Sequence, residues 1–202
     1  LAEYANINKN GLIAVNLREG DALVGVQLAA DNCDILLASR NGMAIRFGEA
    51  QVRATGRNTQ GVRGIQLEDD DEVIGMVPTR ADQTLLVVSD RGYGKRTELE
   101  EYRGQTRGGK GLITYRPSEK TGLLAGIALV NDDNDVILIN DSGVLIRISA
   151  AEIPILGRNT QGVTLMRTRE GKVVDMAVIE HEMCDDDEAA DQEAAEIERE
   201  ET

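Results

Sequence analysis

Residues 35–47 read ILLASRNGMAIRF: an apolar stretch, a turn that ends at Gly42, and a second stretch in which apolar and polar residues alternate. Glycine at the turn supplies the positive φ that a tight hairpin needs. Alternation is the period of a strand with one covered face. The same arrangement returns at 85–97 (LLVVSDRGYGKRT) and at 136–148 (VILINDSGVLIRI). The sequence therefore predicts repeated copies of one β-hairpin.

Glycines keep the same spacing throughout the chain. Intervals of 50 or 51 residues separate the members of three series: Gly42, Gly92 and Gly143; Gly25, Gly75 and Gly126; and Gly11, Gly61, Gly111 and Gly162. A repeat near 50 residues with four short strands is typical of a β-propeller blade, whereas β-helix repeats are usually half that length or less. The sequence predicts an all-β fold, a β-propeller of four-stranded blades of about 50 residues.

The repeat also divides the chain into units. After each hairpin we expect a third strand, as at 61–67 and 162–166, and a fourth strand around Gly25, Gly75 and Gly126. The predicted blades, 1–182, comprise the second half of one blade at 1–20, whole repeats near 21–71, 72–122 and 123–172, and a closing strand at 173–182. Because so few repeats do not close a typical ring, we expect a partial ring that is completed upstream.

The net charge of −14 is concentrated at the end of the chain. The last twenty residues carry ten carboxylates and one arginine, or −9 of that total. Residues 183–202 also lack apolar periodicity, so we expect an acidic disordered tail. Such a tail could compete for basic surfaces or only aid solubility. The remaining body is mildly acidic, and its cations can still gather on one face.

Composition excludes several other classes of protein. No apolar run is long enough to span a membrane, and the first residues lack the charged and apolar regions of a signal peptide. Cys33 and Cys184 show no metal-binding spacing and indicate a reduced, cytoplasmic setting. Acidic runs at 69–71 and 131–133 fall in predicted turns without EF-hand spacing. We therefore expect no metal site in this segment.

The loop before each predicted third strand is the most distinctive feature. It reads GRNTQG at 56–61, GQTRGGKG at 104–111 and GRNTQG at 157–162, with a shorter copy, NINKNG, at 6–11. Glycine lets a phosphate approach the main chain, exposed N–H groups can donate to it, and Arg or Lys adds charge. One such loop would be an ordinary polar turn. Its recurrence at blade spacing favours contact with a nucleic-acid backbone.

Residues 105–111 (QTRGGKG) resemble the QRRGGKG box of the DNA gyrase A family, with Thr106 in place of its second arginine. Residues 56–64 (GRNTQGVRG), 157–163 (GRNTQGV) and 91–96 (RGYGKR) resemble the repeats of the carboxy-terminal domain in that family. The family's main box lies in the first blade, so 105–111 is a box-like copy in a later blade.

The resemblance implies a six-bladed propeller that wraps duplex DNA around its outer rim and supports ATP-dependent negative supercoiling by a type II topoisomerase. It further implies that the catalytic tyrosine lies upstream, and that a separate B subunit hydrolyses ATP, with magnesium, in an A2B2 complex. This segment is expected to bind no cofactor and to hold no catalytic residue. The expected DNA-binding residues are Lys9, Arg57, Arg63, Gln105, Arg107, Gly108, Gly109, Lys110, Gly111 and Arg158.

Three other functions fit part of the pattern. The related domain of topoisomerase IV usually lacks the box, a protein-interaction propeller would suit the net acidity, and a propeller enzyme would need convergent catalytic groups. Tyr4 and Tyr102 align with Val52 and Ile153, so that position is expected to pack in the core. The tyrosines therefore do not indicate a nucleophile in this segment.

Overall fold

The computed structural model describes residue 7 and residues 9–168 and 171–181. These residues form β-strands and short 3-10 helices, and none of the described helices is long and apolar enough to cross a membrane. The strands are β1 (Asp34–Ser39), β2 (Met43–Gly48), β3 (Val73–Pro78), β4 (Thr84–Ser89), β5 (Tyr93–Glu98), β6 (Leu112–Ile113), β7 (Leu124–Val130), β8 (Asn134–Asn140), β9 (Leu145–Ser149), β10 (Val163–Thr164) and β11 (Val173–Glu180). The 3-10 helices are Glu49–Gln51, Leu99–Glu101 and Ala150–Glu152.

Each predicted hairpin is the centre of one sheet. The strand orders are β3-β1-β2-β6, β10-β5-β4-β7 and β11-β8-β9, with antiparallel pairing throughout. Both the inner and the outer strand come from the repeat that follows the hairpin: β3 and β6 lie in 72–122 and pair with β1 and β2, and β7 and β10 lie in 123–172 and pair with β4 and β5. Each sheet is thus assembled from two of the predicted repeats.

Two predicted strands are absent from the structure. Residues 23–28 around Gly25, and residues 61–67, have no strand assignment. Their repeat equivalents pair with a hairpin that lies earlier in the chain, and no described segment provides that hairpin for these two. Apolar side chains therefore remain exposed here, with Val26 77 % and Leu28 76 % accessible. The predicted strand at 162–166 shortens to Val163–Thr164, and the predicted tail lies outside the described residues.

The hydrophobic core lies between neighbouring sheets. One cluster joins residues such as Leu36 of the first sheet to Leu85 and Val87 of the second, and another joins Leu86 to Val136 of the third. The inner glycines permit this approach. A Cβ on Gly75 would meet Ile127 on the next inner strand at 2.7 Å, and one on Gly126 would meet Met176 at 3.3 Å.

The predicted turn glycines adopt the expected backbone conformation. The φ angles of Gly42, Gly92 and Gly143 are +86°, +77° and +79°. At Gly42 and Gly92 a side chain would also overlap the carbonyl oxygen of the following repeat, that of Tyr115 or Met166. Within the described part of the chain, Gly143 has no atom within 4 Å of that position. The positive-φ prediction is confirmed, and only two of these turns are also covered.

Candidate nucleic-acid interface

Two of the glycine- and arginine-containing loops, 104–111 and 157–162, lie along the outer edges of the first and second sheets. After its 3-10 helix each of these two loops runs beside the second strand of the preceding hairpin, where Gln105 N donates to Arg46 O and Leu156 N donates to Arg96 O, both at 2.8 Å. At its end the loop meets the strand again. A Cβ on Gly111 would lie 2.5 Å from Ala44 O. Glycine at this position is therefore required by packing, whatever the loop binds.

Adjacent loops touch one another and form a continuous row. Gly108 N donates to Gly64 O at 2.7 Å, which joins the second loop to the chain leaving the first. Arg116 Nε donates to Asn159 Oδ1 at 3.0 Å, which joins the third loop to the chain leaving the second. We call residues 56–61, 104–111 and 157–162 the loop row.

One arginine in each loop reaches back to the preceding repeat. Arg57 Nη1 donates to Ile13 O at 3.4 Å, and Arg158 Nη1 donates to Ile113 O at 2.5 Å. Arg107 Nη1 donates in the same way to Arg63 O, and Arg107 Nε donates to Gln51 O at 3.2 Å. All three arginines are half-buried. These predicted DNA-binding residues therefore also join neighbouring loops. The donor and acceptor lie 44, 44 and 45 residues apart, and this regularity follows the repeat.

The remaining predicted cations are more accessible. Lys9, Arg63 and Lys110 are exposed. Lys110 lines a surface cleft with Glu68 and Asp69, so nearby carboxylates partly offset its charge. These three side chains are the most accessible charges among the predicted site residues.

The other predicted positions of the second loop are half-buried. The Gln105 carbonyl accepts a hydrogen bond from Gln51 Nε2 at 3.2 Å, and Gly109 O accepts one from Gln66 N at 2.9 Å. Gly108 adopts φ +82°. The main chain of this loop is therefore held in one conformation by its neighbours.

Lys95 supports the third loop, and sequence reasoning missed it. Its side chain is fully buried, and Nζ donates to the carbonyl oxygens of Gly157 at 2.7 Å and Arg158 at 2.6 Å. Burial lowers the pKa of Lys95 from 10.5 to about 8, although Glu101 acts in the opposite direction. The signal available in the sequence was a lysine at a position where the other hairpins have Ile45 and Ile146.

The tyrosine considered as a nucleophile is a core residue. Tyr102 is 1 % exposed and its hydroxyl lies 2.5 Å from Thr114 Oγ1. Burial raises the pKa of Tyr102 to about 12, which opposes formation of a phenolate. The packing prediction is confirmed for Tyr102, while Tyr4 lies outside the described residues. Within the described part of the chain, no group of three or more His, Cys, Asp or Glu residues is placed to hold a metal ion.

A family model described as "DNA gyrase C-terminal domain, beta-propeller" matches residues 1–30, 34–80, 83–131 and 134–180. The chain belongs to this family. The DNA gyrase A subunit of Escherichia coli K12 is 41 % identical over 174 residues, which cover 86 % of this chain and 20 % of the relative. That of Clostridium acetobutylicum is 46 % identical over 177 residues, which cover 87 % and 21 %. The chain thus spans about a fifth of the length of these gyrase relatives.

Solved structures give the same fold. A DNA gyrase A C-terminal domain matches with a TM-score of 0.79 and 25 % identity, covering 85 % of this chain and 59 % of that one. A C-terminal domain of DNA topoisomerase IV matches with a TM-score of 0.83 and 24 % identity, covering 95 % and 61 %. The predicted β-propeller is confirmed, with its described sheets forming part of a ring.

Proposed function

We propose that this chain binds duplex DNA along the loop row and, within the gyrase enzyme, wraps it to support ATP-dependent negative supercoiling. The observation that carries the proposal is the continuous row of glycine- and cation-containing loops on the outer edges, in a chain of this family. The loops offer main-chain N–H groups and positive charge. Such contacts position a backbone and carry little sequence information.

The connections between loops supply what wrapping requires. Bending 20–30 base pairs by 40–90° costs about 1–6 kcal/mol in elastic energy, which additional phosphate contacts must offset. Loops that moved independently would lose part of that gain to ordering entropy. Arg107 and Arg158 hold each loop to its neighbour, and Lys95 holds the third loop to its strand. The row would therefore present a preformed curved track.

The remaining chemistry would belong to other parts of the complex. In this proposal the catalytic tyrosine lies elsewhere in the gyrase A chain, while the B subunit binds ATP with magnesium. The segment contributes by setting the path of the duplex before strand passage. The complex would act in the cytoplasm, where the chromosome of a bacterium lies.

The proposal is tested by removing exposed charge from the row. We expect the full chain carrying Lys9→Gln, Arg63→Gln and Lys110→Gln to bind a long duplex more weakly, because all three side chains are exposed: Lys110 in the loop row, Arg63 in the chain that leaves its first loop, and Lys9 in the shorter copy of the loop. The slope of log K against log salt should fall by about 0.9 for each phosphate that the variant no longer neutralises. Electrophoretic mobility shift at several salt concentrations measures both quantities.

A matched variant removes the same charge beside the inner strands. Arg80 lines the inner cavity with residues such as Gly75, and Arg40 and Lys172 lie beside Ile74 and Val173. Arg40→Gln, Arg80→Gln and Lys172→Gln should leave the salt slope near that of the wild type. Equal losses in both variants would show attraction by net charge alone. A wild-type chain that does not bind duplex DNA would instead favour a protein-interaction propeller.

The topoisomerase IV alternative is tested in the complete enzyme. The reconstituted A2B2 complex, supplied with ATP, should introduce negative supercoils into relaxed circular DNA. Relaxation without supercoiling would assign this chain to a topoisomerase IV type of enzyme.

A further inference from the structure

A second basic site lies at one corner of the second sheet, outside the loop row. The turn between β4 and β5 meets the turn at 118–122, and between them is a cavity of about 370 Å³. Its lining includes the cations Arg91, Lys120 and Arg167, with Tyr93, Thr164 and Thr168. We call this the basic corner.

The cations of the basic corner are available to a ligand. Arg91, Lys120 and Arg167 are exposed, and among the described residues none of their side chains forms a hydrogen bond or ion pair with a carboxylate. The adjacent Asp90 is engaged elsewhere, since Oδ2 pairs with Lys172 Nζ at 3.1 Å and Oδ1 accepts from Leu123 N at 3.0 Å. Uncompensated charge of this density attracts anions.

The corner is also organised. Lys120 Nζ lies 5.8 Å from the centroid of the Tyr93 ring, within the range of a cation–π contact. Thr168 Oγ1 donates to Arg91 O at 3.3 Å, which ties the two sides of the cavity together. Hydroxyl groups beside guanidinium groups are common partners of phosphate oxygens.

The fold does not require these cations. At the matching corner of the first sheet the turn residue is Asn41, whose N–H donates to Asp71 Oδ1 at 2.9 Å. Asp69 stands there in place of Lys120, with Asp70, Asp71 and Glu72 beside it, whereas Arg116 keeps the position of Arg167. A purely structural role for Arg91 and Lys120 would recur with the repeat, so their replacement by Asn41 and Asp69 in the first sheet points to a ligand of negative charge at the second.

The basic corner continues the loop row. Thr164 follows the third loop by two residues, and in the sheet it pairs with Tyr93. Arg116, which donates to Asn159 of that loop, corresponds in the repeat to Arg167. A duplex that lies against the third loop would therefore meet the corner next along this edge.

We propose that the basic corner binds the phosphate backbone of duplex DNA beyond the third loop, which rests on the proposed function. Contacts at Arg91, Lys120 and Arg167 would extend the track from the outer edge of the second sheet to its hairpin turn. The ligand class is a phosphodiester backbone, because the corner offers three dispersed, exposed cations beside the Thr164 and Thr168 hydroxyl groups.

The test compares three variants of the full chain. Arg91→Gln, Lys120→Gln and Arg167→Gln together should weaken duplex binding at least about fivefold and lower the salt slope by about 0.9 for each phosphate left without its cation. Arg40→Gln with Arg80→Gln is the control for removed charge, compared per charge removed, and Lys172 is left unchanged because it pairs with Asp90 beside the corner. The single change Arg91→Asn, which installs the residue of the first sheet, should give a smaller loss in the same direction and keeps the test valid if the triple variant misfolds.

A second measurement locates the effect. Adding duplex to the wild type should shift the amide NMR signals of Thr164 and Thr168, and pyrophosphate should shift them only at far higher concentration. Wild-type affinity in the corner variant, with weakened binding in the loop-row variant, would overturn this inference alone. Pyrophosphate shifts without duplex shifts would assign the corner to a free anion and overturn it too. A wild-type chain that ignores duplex would overturn the proposed function first.

Discussion

The second and third hairpins share a sequence pattern but differ in what covers them. Loop 157–162 and strand β10 lie along the outer edge of the second hairpin, and Met166 closes its turn. Among the described residues the third hairpin has no outer strand, and Val144 and Leu145 are 51 % and 58 % exposed. Each hairpin therefore depends on the repeat that follows it, and a loop takes its position from its neighbours.

Glycine substitution in the two turns should show the largest difference. Gly92→Ala combines positive φ with overlap at the Met166 carbonyl, so it should lower the free energy of unfolding by about 4 kcal/mol. Gly143→Ala has only the backbone cost, about 1 kcal/mol. Urea unfolding of both variants measures this difference, and equal losses would show that Met166 does not cover the turn.

Lys95 should make the stability of the second hairpin depend on pH, in contrast to the third hairpin, which has Ile146 at the same position. Its folded pKa is about 8, below the ordinary 10.5, so between these values the unfolded chain binds more protons and stability rises with pH. The rise is at most about 1.4 kcal/mol for each pKa unit. Lys95→Ile, the residue type at 146 in the third hairpin, should abolish this component. Unfolding measured from pH 7 to 10.5 would contradict the account if both proteins gave the same curve.

Removing one inter-loop arginine should have a smaller effect. Arg158→Met leaves Ile113 O without its donor and should cost about 1–2 kcal/mol. Local hydrogen exchange should accelerate in the third loop and in Tyr93–Glu98. Exchange in Leu145–Ser149 should stay unchanged, since the loop does not cover that strand. Faster exchange throughout the chain would mean that Arg158 supports global rather than local stability.

Sequence predicted what lies within one repeat and missed what passes between repeats. Glycine spacing and alternation located the hairpins, and Gly42, Gly92 and Gly143 have the expected φ. The pairing of β6 and β10 with the hairpin of the preceding repeat was not predictable. The spacing of the repeat is the same whichever hairpin a strand joins. Lys95 was overlooked because a lysine in a strand is ordinarily exposed.

The same limit applies to the predicted site. Residues such as Arg107 were chosen for charge and spacing, which do not show that its guanidinium group already binds the Arg63 carbonyl. Gly111 was chosen for phosphate approach, yet its contact with Ala44 O gives it a packing reason. The positive charge of the loop row could be predicted from the sequence. Which of its cations hold neighbouring loops together, and which are exposed to a ligand, depends on the tertiary structure.

Hydrogen exchange of the full chain with and without a long duplex tests the central claim most directly. If DNA lies on the covered outer edges, it should slow amide exchange in 56–61, 104–111 and 157–162 and leave Leu145–Ser149 unchanged. The protection should weaken as salt is raised, because phosphate contacts release counterions. Protection confined to the inner strands β3, β7 and β11, or equal protection of the loop row and Leu145–Ser149, would contradict the account.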